Sequence, residues 1–405
     1  MCVFTRAVHD PPDTATARSD IPARSWRITG SLFAVFVFLF AACGNPANTT
    51  QDPSSQPPIN IDDSNLGSLA ALLAGRGGSS AKPVPVTENI QLNAENWEAI
   101  LTALASAGKY VNLDLSACTP SPSASGKGLR SGGTFDPRSN TDNSGAAKIV
   151  SLVLPGAATS IVDGSDTFGP DSLGGAFNSF GLLKSVSGGG IKTIGSIAFR
   201  GCTALETAAF PLAEDIGGSA FQGCTGLKTV NIPRLVTIGH SAFVSCTSLK
   251  EAGFPAVTSI GDYAFRFSAL EEADFPLAEG IGSSSFQDCD ALKAANFPQA
   301  ERIGDNAFSG CTALITANFP LAERISNSAF RDTGGIPFTI TLPQAAPEIT
   351  LSTWASDSYE KTVTIRTPSS RSGYGETWQA AFKTAFGPNA GITLEFAELT
   401  EPGGQ

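Results

Sequence analysis

From Ile194 to Phe330, apolar and polar residues return in the same order every 22 residues. The pair Ile-Gly opens the copies at Ile194-Gly195, Ile216-Gly217, Ile238-Gly239, Ile260-Gly261, Ile281-Gly282 and Ile303-Gly304, and the last copy opens Ile325-Ser326. Only the copy that starts at Ile260 is a residue short. Each reads roughly I-G-x-x-A-F-x-x-C-x-x-L-x-x-A-x-F-P-x-A-x-x. A unit this short cannot enclose a core alone, so successive copies must stack and share one. The pattern predicts a β-rich solenoid.

Stacking turns each repeat position into a column, with a rise of about 4.8 Å per coil. One column is Phe199, Phe221, Phe243, Phe265, Phe286, Phe308 and Phe330; a second is Phe210, Ile232, Phe254, Phe275, Phe297 and Phe319, each followed by Pro. Leu205 to Leu314 form a third, and the small column from Ala208 to Ala317 leaves room for the rings. These columns are expected to be core. Pro cannot donate to a ladder, so it ends each strand, and the Gly after Ile is expected to permit a tight corner. The polar positions Glu206, Lys228, Lys250, Glu271 and Lys293, with Asn231, Asp274, Asn296 and Asn318, are expected on the outer strand face.

Outside the repeats, Trp97, Ile100, Leu101 and Leu104 share one face of a helix over Ala94 to Ala107, with Asn93 as N-cap and Gly108 as its stop. Tyr110 to Leu115 alternates as a strand, and Ile149 to Leu154 reads as the first strand of the stack. Phe177, Phe180, Leu183 and Val186 mark a degenerate copy. After Phe330, strands are expected over Phe338 to Leu342, Ile349 to Leu351, Thr362 to Ile365 and Ile392 to Phe396. A helix over Glu376 to Phe386 is expected to bury Trp378, Ala381, Phe382 and Phe386. The expected organisation is a leader over 1–42, a flexible tether over 43–87, and a helix–strand cap over 88–118. A loose loop over 119–147, the leucine-rich solenoid over 148–335 and an α/β cap over 336–400 follow.

The leader expectation rests on Arg18, Arg24 and Arg27 followed by an uncharged apolar run from Ile28 to Ala42. Such a run is short for a spanning helix, and Ala41-Ala42-Cys43 has the form of a bacterial lipoprotein cleavage site. Cys43 is then the lipid-attachment residue, joining the chain to a membrane. Phe40 is bulky for this motif, which leaves plain secretory cleavage as the alternative.

Charge narrows the partners. The chain carries 26 Lys and Arg against 37 Asp and Glu, a net −11, without a basic cluster, which argues against nucleic acid. Chemistry is scarce: there are two histidines, His9 and His240, and the carboxylates at Glu214, Glu279, Glu301 and Glu323 form a column flanked by Arg302 and Arg324 that reads as a solvated edge. Cys202, Cys224, Cys246, Cys289 and Cys311 share a column, with Ser268 in the short copy. Their spacing is unlike a metal motif, and parallel Cβ vectors oppose a disulfide, so buried thiols are expected. No catalytic set, metal site or cofactor is expected, and the protein is read as a non-enzyme.

Ile303 to Pro320, I-G-D-N-A-F-S-G-C-T-A-L-I-T-A-N-F-P, closely resembles the repeat of BspA-type, or treponemal-type, leucine-rich repeat surface proteins, as do the copies at Ile216 and Ile238. The likeness runs from about Ile149 to Asp332, and Ala107 to Leu115 and Ser372 to Trp378 resemble flanks of lipoproteins in this group. Departures are the short copy, Gly226 and the Ala residues in the strands. The resemblance implies a cell-surface protein, with adhesion to host extracellular-matrix or neighbouring-cell proteins among the roles of the family. The expected product is a monomeric, lipid-anchored protein of the cell envelope, on the outer membrane facing the exterior; the alternative is a periplasm-facing structural lipoprotein with no host ligand.

Overall fold

The computed structural model describes residues 56–121, 126–139, 144–164, 175–333, 338–349, 360–367, 372–385 and 391–398. Cys43, the leader, Leu351 and Phe386 lie outside the described residues. The repeats form a leucine-rich β solenoid, as the 22-residue period predicts. Each coil contributes a short strand at the Ile position, such as Asp215–Ile216 or Thr237–Ile238, and most contribute a second at the small column, such as Thr207–Ala209 or Thr229–Asn231. Equivalent strands pair in parallel and in register, Thr207 with Thr229 and Ile216 with Ile238.

The Phe column is continuous. Ring centroids lie 5.0 Å apart from Phe199 to Phe221 and 5.3 Å apart at each of the next three steps, with planes within 13° of parallel. The Phe column after the strand packs against it: Phe275 lies 5.8 Å from Phe265 and 5.9 Å from Phe286. All of these rings are buried. Such flat, regular stacking follows from the ladder, since one coil rise sets every column's spacing.

The Gly after Ile has a different role from the one expected. None of these glycines has a positive φ. A Cβ on Gly239 would meet the Ile216 carbonyl oxygen at 2.6 Å and the Gly217 carbonyl carbon at 2.7 Å, and Gly217, Gly261, Gly282 and Gly304 are as crowded. Gly is therefore needed because successive backbones touch there. Gly239→Ala is expected to cost about 1–3 kcal/mol by overpacking, read from urea denaturation. The left-handed corners fall elsewhere, at Ser219, Ser241, Tyr263, Ser284 and Asn306, and again four residues later at Gly223, Ser245, Phe267, Asp288 and Gly310. Ile197 and Tyr263 occupy this conformation with bulky side chains, an unusual choice.

The N-terminal cap is larger than expected, and residues 56–87 do not behave as a tether. Ile59–Asp62 pairs with Val84–Asn89, which pairs with Val111–Asp114, which pairs with Ile149–Val153, all in parallel. Ile59, Ile61, Val84 and Val86 point into the core in strict alternation. Pro85 precedes the stretch that Ile59–Asp62 pairs with, so its missing N–H costs no bond there. Leu69–Ala74 is a short helix that buries Leu69 and Leu73. The helix Ala94–Ala107 follows its expected bounds: the Asn93 side chain accepts a 2.8 Å bond from the Asn96 N–H, and Gly108 ends it at φ 63°.

The expected loop at 119–147 also contains packed structure. Gly128–Leu129 and Thr134–Asp136 form a small hairpin, and Thr134–Phe135 pairs with Ser160–Ile161 to extend the second sheet. Phe135 is buried 5.6 Å from Trp97 and 6.4 Å from Phe177, which makes it the N-terminal member of the Phe stack. At the C-terminal end, Phe338–Thr341 pairs with Glu360–Thr367, which pairs with Gly391–Glu398, and the helix Glu376–Ala385 buries Phe382.

One inward strand position carries a carboxyl. Glu88 shares the buried side of its strand with Val84 and Val86, is 0 % exposed, and neither carboxyl oxygen has a hydrogen-bond partner. Burial pushes its pKa up to about 8.

Candidate functional site: the outer strand face

The sequence places its candidate polar residues on one surface, and the structure shows how they are held there. Lys228 and Glu206 occupy the position just before successive strands, so each side chain meets the one a coil away. Lys228 Nζ lies 2.7 Å from Glu206 Oε2, and Lys184 Nζ lies 4.0 Å from the other oxygen. The same arrangement recurs around Glu271, with Lys250 at 3.1 Å and Lys293 at 2.8 Å. The bonded ammoniums hold both carboxyls below the usual range, Lys228 at Glu206 and Lys293 first at Glu271. These groups are exposed and screened by water, so the ladder orders the face more than it stabilises it.

Asp274, Asn296 and Asn318 form a second ladder. Asn296 Nδ2 donates to Asp274 Oδ1 at 2.7 Å, and Asn318 Nδ2 donates to Asn296 Oδ1 at 2.8 Å. Asn231 stands in the same column but apart, exposed, with Gly253 between it and Asp274. Between the two ladders runs a column that sequence reasoning missed: Thr207, Thr229, Glu251, Glu272 and Thr316, all exposed. Strand alternation was the signal available, because Thr229 and Asn231 flank the buried Val230 and must share a face.

The outer face is not one continuous sheet. Strands run in parallel from Ile59–Asp62 to Thr229–Asn231, and a separate sheet begins at Glu272–Asp274. The intervening coil, Lys250 to Phe254, forms no strand, although the sheet on the Ile side continues unbroken past it through Ser259–Ile260. Elsewhere the coils are tied by bonds such as Lys228 N–H to Glu206 O at 2.9 Å and Phe210 N–H to Asn231 O at 2.9 Å. Among the described residues, no backbone hydrogen bond joins Lys228–Ile232 to Lys250–Phe254. The opening is a cavity of about 660 Å³ lined by Lys228, Thr229, Val230, Thr247, Ser248, Lys250, Glu251 and Gly253. Solvent reaches the core column there: Val230 and Ala252 are 8 % and 9 % exposed, against 1 % for Ala208 and Ala273.

The remaining candidates fall elsewhere. Glu214, Glu279, Glu301 and Glu323 are exposed along the edge of the other sheet, where Arg324 Nη2 meets Glu348 at 2.8 Å. His240 is exposed and lies edge-on to Tyr263 at 5.4 Å, away from any carboxylate ladder. The column thiols are buried and unbridged, and each Sγ donates to a Phe carbonyl of the preceding coil, as Cys224 does to Phe199 at 3.0 Å. Burial raises their pKa values, to about 12 for Cys202 and Cys289. Iodoacetamide at pH 8 is therefore expected to leave Cys118 and the five column thiols unmodified in the native protein and to alkylate all six after denaturation, as peptide mass mapping would show. Among the described residues, no group of three or more His, Cys, Asp or Glu side chains is gathered as a metal site.

The chain matches the family described as BspA type leucine rich repeat region in six copies, over residues 175–293 and 279–375. No curated protein matches it. Among solved structures it is similar to a leucine rich repeat protein of T. pallidum, at 24% identity over 45% of this chain and 76% of that one, with a TM-score of 0.32. A leucine rich cell surface protein of Faecalibacterium prausnitzii matches at 18% identity over 61% and 88%, TM-score 0.28. The pneumococcal vaccine antigen PcpA matches at 16% over 61% and 79%, TM-score 0.30.

Proposed function

From the premise that residues 175–375 of this chain belong to the BspA-type leucine-rich repeat family, we propose that the protein is displayed at a bacterial cell surface and binds other proteins through its outer strand face. The observation that carries the reading is the set of three neighbouring exposed columns, built on two parallel sheets and bearing both signs of charge. A repeating surface of this kind suits recognition of a macromolecule, since many weak contacts can be made along it at once. The ladder carboxylates Glu206 and Glu271 are paired and exposed, and the column thiols are buried as thiols, which supports recognition at this face.

Adhesion to host or neighbouring-cell proteins is the role this reading favours. The Ala41-Ala42-Cys43 motif supports a lipid anchor at Cys43, since two or three acyl chains hold a protein stably to a membrane. The test is a combined Lys228→Glu, Lys250→Glu and Lys293→Glu variant, assayed against a panel of purified extracellular-matrix proteins. The fold is expected to survive, because exposed ion pairs contribute little. Affinity for a bound matrix protein is expected to fall about tenfold or more, as loss of charge complementarity does elsewhere. Unchanged affinity would place binding on another surface.

A further inference from the structure

We propose that the opening between the coils of Lys228 and Lys250 is an anchor site for a carboxylate side chain on an extended acidic segment of the protein partner. The inference rests on the reading of this face as a protein-binding surface and names the chemistry that one point on it selects. The charge order of the ladder is the first argument. Along the column Lys184, Glu206, Lys228, Lys250, Glu271 and Lys293, every step alternates in sign except one. Glu206 is shared by Lys184 and Lys228, and Glu271 by Lys250 and Lys293, so each carboxylate sits between two ammoniums. Only the step from Lys228 to Lys250 sets two ammoniums in succession.

The backbone supplies the second argument. The Lys250 N–H makes no hydrogen bond to Lys228 O, although the equivalent Lys228 N–H bonds Glu206 O and Lys293 N–H bonds Glu271 O. The opening therefore holds a main-chain donor with no cross-coil bond beside two ammoniums and the hydroxyls of Thr229 and Ser248; the Glu251 carboxylate also lines it, and the Thr247 hydroxyl donates to the Thr225 carbonyl at 3.5 Å. Gly253 also lines it, with nothing within 4 Å of where its Cβ would be. Its apolar floor is Val230, 8 % exposed. Donors above an apolar floor match a Glu or Asp side chain, whose methylenes cover carbon while its oxygens accept from N–H and O–H groups. A carboxylate there completes the alternation of the column.

The coil that follows the opening is itself irregular. The copy starting at Ile260 lacks one residue at the corner before Leu270, beside Thr247 and Ser248. The second Phe column widens at the next step, 6.4 Å from Phe254 to Phe275 against 5.4 Å from Phe275 to Phe297.

The test is fluorescence anisotropy with a labelled hexaglutamate peptide, using hexaglutamine as control and the whole folded protein. A chain of net charge −11 repels this probe in general, so binding requires a local site. Saturable binding is expected for hexaglutamate alone. A Lys228→Gln and Lys250→Gln variant is expected to weaken it about tenfold. A Lys184→Gln and Lys293→Gln variant removes the same number of charges from the same two glutamates, yet is expected to change it less than about twofold. Absence of saturable binding, or equal loss in both variants, would overturn the proposal. If the opening fails while the charge-reversed face still loses a matrix protein, only the anchor site is wrong. If hexaglutamate binds as expected while charge reversal leaves every matrix protein bound, the face reading is wrong and the site stands as a carboxylate pocket.

Discussion

Phe265→Ala is expected to destabilise the solenoid by about 3–5 kcal/mol, the usual cost of emptying a buried phenyl site. Phe265 lies near four other rings, Phe243 and Phe286 at 5.3 Å, Phe275 at 5.8 Å and Phe254 at 6.3 Å, so a void there faces both neighbouring coils and both aromatic columns. The backbone cannot collapse into it, because each coil is tied to the next along the sheet on the Ile side. Phe267, two residues on, is the internal control. It is 43 % exposed and lies beside the Arg266 guanidinium, so Phe267→Ala is expected to change stability by less than about 1 kcal/mol. Urea denaturation measures both. Stability in stacked repeats is a sum over neighbours, so hydrogen exchange in Phe265→Ala should rise first in the coils from Phe243 to Phe286. Equal effects of the two substitutions would show that the ring column is not the core.

Glu88 gives the second large effect, with the opposite sign. Its carboxyl has no hydrogen-bond partner, and burial raises its pKa from 4.5 to about 8. In the folded protein it holds its proton at neutral pH; in the unfolded chain it releases it. The unfolded state then binds fewer protons at this group, so the contribution of Glu88 to stability is greatest below pH 4.5, falls as the pH rises through the interval up to about 8, and levels off above it. At pH 7 the loss amounts to about 3 kcal/mol, an order-of-magnitude figure for a buried group. Glu88→Leu is expected to restore much of this at pH 7, since an apolar side chain suits a position shared with Val84 and Val86. Glu88→Gln should flatten the pH dependence of the cap's unfolding while keeping a polar side chain. Urea midpoints between pH 5 and pH 8 decide the matter; a wild-type midpoint that rises with pH over that range would contradict the assignment.

The repeat was legible because its positions do one job each. Phe221 and Phe243 must stack, Leu227 and Leu249 must fill, and Val230 must be narrower than Phe, so a 22-residue register shows directly which residues are inside. The caps were less legible for the opposite reason. Ile59–Asp62 is a four-residue strand set in a background rich in Pro, Ser and Asn, and its partner contains Pro85, so composition concealed the alternation that Ile59, Ile61, Val84 and Val86 carry. Phe135 fell within the expected loop because its hairpin is only a few residues long. The glycines show a limit of a different kind. A repeated Gly has two physical explanations, a left-handed turn or a close approach, and only the stacked coils distinguish them: Gly239 touches Ile216 and Gly217, while Ser241 takes the left-handed corner.

On the outer face, sequence identified Glu206, Lys228, Lys250, Glu271 and Lys293, because charged residues at a repeat position have nowhere to go but out. It missed their division into two shared-carboxylate groups. That division depends on which coils are hydrogen-bonded, and the broken ladder between Lys228 and Lys250 has no counterpart in the Ile-Gly register, which continues undisturbed. The short copy at Ile260 was visible as a missing residue, but the opening lies one coil earlier, at a surface the repeat pattern treats as uniform.

The most direct test of the central claim, that this face meets partners outside the cell, is proteinase treatment of intact cells. The protein is followed by antibody against the repeats, and a periplasmic protein serves as the control. Loss of the repeat signal while the control survives is the expected result. Survival of both until the envelope is broken would contradict the account.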